Sequence, residues 1–159
     1  MDSKAVFQSL LGYHVVAMRK IWAVVEASVT SSEFQQDVGF SWGSIRNELL
    51  HVATVDRGWI HGLQGKRRPP KEDLDKYPDL ASVKAYSTES LAIFESYFRG
   101  LTDEELEQTP KDIPGTRWQI LLHLVNHGTD HRARVICMLK RLGKQSFDQD
   151  YAYYLMGRL

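Results

Sequence analysis

Apolar side chains recur every three or four residues in four long stretches of this chain, and no stretch alternates apolar and polar residues as a strand would. Phe7, Leu10, Leu11, His14, Met18, Ile21, Trp22 and Val25 form the first stripe. Residues at these intervals share one face of a 3.6-residue helix, so the spacing predicts a helix over about 4–29 with one side buried. Ile45, Leu49, Val52, Trp59 and Leu63 predict a second helix, capped by Ser44 and stopped by Gly65. Val83, Tyr86, Leu91, Phe94, Tyr97 and Phe98 predict a third over about 81–99, with Gly100 as its stop. A fourth runs over about 116–142 on Ile120, Leu121, Leu124, Val135, Met138, Leu139 and Leu142, closed by Gly143. Four long amphipathic helices and no pairable strand give an all-α fold, and burying the four stripes together makes a four-helix bundle.

The connections decide how the helices can be ordered. Residues 30–43 lose the period and read as a crossing loop, pinned to the bundle by Phe34, Phe40 and Trp42. Residues 66–78 carry Pro69, Pro70 and Pro78 among many charges, so they read as an exposed connection that could lie over the mouth of a site. Thr102 with Glu105 is a capping-box pattern, and the brief helical turn it starts is ended by Pro110 and Pro114. Long connections allow crossovers in place of a simple up-and-down weave. The 159 residues, 43% of them hydrophobic, suffice for one continuous core, and residues 1–159 read as a single domain.

Charge and cysteine content exclude several function classes. Lys plus Arg and Asp plus Glu each number 20, so no basic surplus stands ready for phosphates or acidic lipid, and neither nucleic acid nor membrane is an expected partner. The short basic runs at Lys66 to Arg68 and Arg132 to Arg134 read as a solvated loop and a helix flank. No apolar run reaches the roughly 18 residues of a membrane span. The single Cys137 cannot form an internal disulfide, and Met1, Asp2, Ser3 and Lys4 do not open a signal-type segment, so the expected location is the cytoplasm. Cys137 itself reads as a small buried helix residue, not a nucleophile.

One detail of the fourth helix points to chemistry. His127 and His131 fall inside its apolar arc, four residues apart, so both imidazoles stack on one face and can approach a common point. A buried imidazole must find a hydrogen bond or a metal, and one ion satisfies two rings at once. Gly128 stands where a zinc peptidase of the H-E-x-x-H type carries its general base, which disfavours that chemistry. Four histidines compete for the place of a third ligand. His14 lies on the core stripe of the first helix, His51 at the edge of the second, His61 near a helix end, and His123 on the flank of the fourth. The helical wheel permits His51 to face inward without requiring it.

Two segments together, "SIRNELLHVATVDRGWIHGL" and "WQILLHLVNHGTDHRARV", with the Tyr-rich end "FDQDYAYYL", resemble the DinB family over nearly the whole chain. The resemblance implies a four-helix bundle with crossover connections, a divalent metal held by three histidines, and a homodimer. Carried over residue by residue, it makes His51 the third ligand beside His127 and His131, and His123 a histidine one turn upstream that does not ligate. Ala133 and Arg134 depart from a Gly and Gln that many relatives carry, at positions that are not ligands.

Three neutral histidines leave coordination positions open, which is the arrangement of catalytic sites. The ligand set suits Zn, Ni, Cu or Fe, with zinc or nickel foremost. The first functional reading is therefore a metal-dependent transferase, isomerase or hydrolase, with a small-molecule thiol as substrate for S-transfer or isomerisation, as in some relatives. Glu48, Asp56 and Asp130 are the nearest carboxylates in sequence and read as a cap, a surface charge or a partner behind a ligand, with none clearly a general base. The alternative is a non-catalytic, stress-associated metal- or ligand-binding bundle, to which the aromatic content of four Trp, seven Tyr and six Phe is equally suited.

Overall fold

A computed structural model describes residues 3–70 and 73–159; Met1, Asp2, Lys71 and Glu72, which belong to the reading of the amino terminus and of the 66–78 connection, lie outside the described residues. Among the described residues seven α-helices follow in order: α1 Ser3–Ser28, α2 Ser31–Gln35, α3 Ile45–Leu63, α4 Leu80–Arg99, α5 Asp103–Glu107, α6 Arg117–Arg141 and α7 Tyr151–Leu155. The four long ones coincide with the four apolar stripes, and among the described residues there is no strand. Their caps act as the sequence indicates. Ser44 accepts the Asn47 N–H, Thr102 and Glu105 cap each other's backbone, and Gly143 turns the chain out of α6 at φ 69°.

Helix α3 packs along α4 and α6, while α1 packs along α6 and more lightly on α4. Sequential helices α1 and α3 are therefore diagonal, and so are α4 and α6; the chain crosses the bundle end over 29–44 and again over 100–116. The exposed connection over 66–78, by contrast, joins neighbours. Leu49, Leu50, Val52 and Ile60 of α3 meet Leu121, Leu124, Val135 and Met138 of α6 in a core from which water is excluded.

Three readings are corrected. The segment over 30–43 is not all loop, because Thr30 and Glu33 form a capping box that starts α2, and Phe34 at its centre is fully buried beside Trp22. Cys137 is exposed, since it points away from the face that Val135, Met138 and Leu139 bury. Arg132 is not a solvated flank but one of the largest fully buried side chains, drawn inward by polar partners described below. The tail over 144–159 returns along the bundle, where Tyr13 donates to the Gln149 carbonyl at 2.6 Å and Tyr151 packs edge-on against the Tyr13 ring. Among the described residues no helix is long and apolar enough to cross a membrane.

Candidate metal centre

His51 comes from the middle of α3, and His127 and His131 come from successive turns of α6. Because α3 and α6 are neighbours, the three rings meet: His51 lies 5.1 Å from His127 and 4.7 Å from His131 between centroids, and the α6 pair 4.2 Å apart. One ring nitrogen from each lies within 4.8 Å of the others, so the cluster can hold a metal ion. The Nε2 atoms of His51 and His127 are 3.3 Å apart. Two nitrogens bound to one tetrahedral zinc at roughly 2.0–2.1 Å stand about 3.3 Å from each other, so this spacing fits a shared ion. Nδ1 of His127 is buried and has no hydrogen-bond partner, which leaves one ring whose polar atoms the protein alone does not satisfy.

Burial, and after it the neighbouring imidazoles of His131, His51, His123 and His14, push the His127 pKa down to about 3. The ring is thus kept neutral, the form that ligates a metal. In the unfolded chain it returns to about 6.5. Between these values the unfolded state binds more protons than the folded state, so His127 contributes stability above pH 6.5 that is lost as pH falls toward 3. Glu48 acts in the same direction, because its lowered carboxyl also favours folding at the upper end. Metal-stripped protein is expected to lose urea resistance on acidification below about pH 6.5, and His127→Gln to flatten that slope; parallel profiles for the two would contradict the assignment.

Of the three carboxylates considered, Glu48 is the one that stands behind a ligand. His131 Nδ1–H donates to Glu48 Oε2 at 2.6 Å, with both side chains buried. Burial raises the Glu48 pKa, but hydrogen bonds from His131, Ser41 and the Trp42 N–H outweigh it, and the net direction is down. The bond fixes the ring of His131 with Nε2 left for a ligand role. Glu48 lies one turn before His51 at the start of α3, and its Oε1 accepts the Trp42 backbone N–H at 3.1 Å. That contact sets the loop before α3, which turns through Ser41 at φ 54° and Gly43 at φ 85°. Trp42, expected only to pin the loop, instead lays its ring 3.9 Å from that of His51 while staying 46% exposed. Its role at the cluster was not legible, because nothing in an aperiodic loop says which side chain the turn aims.

The other histidines divide as the wheel suggests. His123 is exposed on the flank of α6, 5.7 Å from the His127 ring and edge-on to Trp59. His61 meets the Arg67 carbonyl at 3.3 Å near the end of α3. His14 is fully buried between charges: Arg132 Nη1 donates to its Nδ1 at 3.2 Å, and its Nε2–H donates to Asp56 Oδ2 at 3.1 Å. This also explains Gly128. A Cβ there would sit 2.3 Å from His14 Cε1 and 2.9 Å from Arg132 Nη1, so glycine is required by the ring that crosses the bundle at that turn. Asp130 is bound on the exposed side by Arg134, which also donates to Ser41.

One member of the cluster, His51, lines a cavity of about 460 Å³ bounded also by Trp42, Thr54, Trp59 and Pro69. An all-helical bundle whose two neighbouring helices converge three imidazoles, one of them lining such a cavity, defines a class of protein able to carry a divalent ion. The model of the DinB family matches residues 1–157, and the chain belongs to that family. It is similar to "Protein DinB" of Bacillus subtilis (strain 168), with 28% identity over 158 residues that cover 92% of this chain and 91% of the relative.

Proposed function

We propose that the protein is a metal-dependent enzyme in which His51, His127 and His131 hold a divalent transition ion, zinc or nickel foremost, and which acts on a small-molecule thiol by S-transfer or isomerisation. The observation that carries this reading is the convergence of three imidazoles, of which His51 lines an open cavity. A divalent ion in that position supplies a Lewis acid that favours thiolate over thiol. The chain's own groups do the rest. Glu48 keeps the His131 ring in one tautomer, and Trp42 covers the outer face of His51. Trp59 and Pro69 supply apolar walls for the body of a substrate.

The candidate carboxylates are engaged elsewhere. Glu48 is buried behind His131, Asp56 is committed to His14, and Asp130 to Arg134. Among the described residues no carboxylate lines the cavity, so no general base is placed to activate water. Elemental mass spectrometry on untagged protein purified without chelator is expected to find one divalent ion per chain. The loaded protein is then expected to accelerate conjugation of low-molecular-weight thiols to a chlorobimane probe, and dialysis against chelator to abolish that rate. Bound metal without thiol turnover would move the reading to a metal- or ligand-binding bundle.

A further inference from the structure

The cavity beside His51 does not end at its own walls. It shares Thr54, Arg68, Pro69 and Pro70 with a larger one of about 680 Å³ that reaches along α3 to Tyr77 and Tyr86. Among the described residues, Arg57, Arg67, Arg68 and Lys76 line this second chamber against one carboxylate, Asp73. Two of these cations are already engaged: Arg57 by Glu89, Ser90 and the Tyr86 carbonyl, and Lys76 by Asp73. Arg67 and Arg68 have no carboxylate partner among the described residues, so positive charge remains even when Glu89 is counted. In a chain of zero net charge this local excess is a feature of the chamber and not of the composition.

Arg68 is also held in place before any ligand arrives. Its guanidinium lies 4.3 Å over the Trp59 ring, and its Nε would be 3.1 Å from a Cβ at residue 62, where the chain has glycine. Gly62 thus lets the guanidinium lie flat against α3. The start of the segment is tied down by Lys66 N–H donating to the His61 carbonyl at 2.8 Å. A planar guanidinium stacked on an aromatic ring keeps its edge N–H groups free for paired hydrogen bonds to an oxyanion.

We propose that this chamber is an anion subsite in which Arg68, with Arg67 beside it, takes the carboxylate or phosphate of a small molecule whose other end lies in the cavity at His51. The functional pairing of the two ends rests on the reading of that cavity as the substrate mouth, whereas the anion site itself does not depend on a metal. Arg68 lines both cavities and its guanidinium lies over the Trp59 ring, so an anion held by it sits close to that ring.

Two-dimensional NMR of the full chain reads this through the Trp59 indole N–H, assigned with Trp59→Phe, during titration with inorganic phosphate and separately with succinate. Protein as purified and protein stripped of metal and dialysed free of chelator are both expected to give saturable shifts. Arg68→Gln is expected to weaken binding by about tenfold, as for loss of a charged hydrogen-bond donor, with Arg68→Lys in between. Arg67→Gln gives a second reading should the Arg68 variant disturb its loop. Saturation by only one of the two anions supports the subsite and identifies its oxyanion. Shifts that are linear and equal in wild type and both Gln variants would overturn it. So would saturation that vanishes on metal removal, since the anion would then be bound at the imidazoles. Absence of metal with anion binding intact would sink the metal reading alone.

Discussion

Arg132→Met is expected to destabilise the fold by about 3–5 kcal/mol, the range for removing one partner of a buried charge pair. The side chain is fully buried on α6, and each face of its guanidinium has a role: Nε donates to Gln149 Oε1 at 3.0 Å, Nη1 to His14 Nδ1 at 3.2 Å, and Nη2 to Thr129 Oγ1 at 3.1 Å. Through His14 the positive charge faces Asp56, whose Oδ1 is buried without a partner. Methionine keeps most of the volume, so packing loss is small and the effect isolates the charge. It leaves the buried Asp56 carboxylate without the guanidinium that faces it through His14, and releases Gln149, which ties the tail to Thr129 by a second bond at 3.2 Å. A urea midpoint within a few tenths molar of wild type would show that the network contributes little net stability.

That network shows where reading from sequence stops. The apolar stripes located all four long helices, because the 3.6 period of a buried face is written in every turn. Which helices are neighbours was not so written. Two stripes of equal width pack as well diagonally as side by side, and the long connections permit either. The same gap hid Arg132, since a charged residue in a basic run is usually solvated, and only the packing of α1 along α6 brings His14 to meet it. His14 itself had the position of a core residue but no visible partner. The metal cluster was half legible: the four-residue spacing of His127 and His131 put two rings on one face, whereas His51 came from resemblance because an edge position on a wheel faces either way. Glu48 was in view as a carboxylate of the first turn of α3, and its bond to His131 follows only from the juxtaposition of α3 and α6.

The strongest test of that juxtaposition is a graded loss of metal. His127→Ala removes a ligand outright and is expected to abolish stoichiometric metal after purification, while its far-ultraviolet circular dichroism stays helical because the ring is only half-buried. Glu48→Gln removes no ligand. The amide keeps the size of the side chain and can still accept from His131 Nδ1–H, but the anionic charge that strengthens the bond is gone. Loss of such a partner weakens metal affinity by roughly 10–100-fold, and that is the range expected here by competition with a chromophoric chelator. The variant also loses the charged acceptor for the Trp42 N–H, so Trp42 fluorescence, isolated by difference from Trp42→Phe, is expected to change in the same variant. Equal metal affinity in Glu48→Gln and wild type would mean that the imidazole of His131 does not depend on the carboxylate behind it, and that Glu48 serves only to fold the loop before α3.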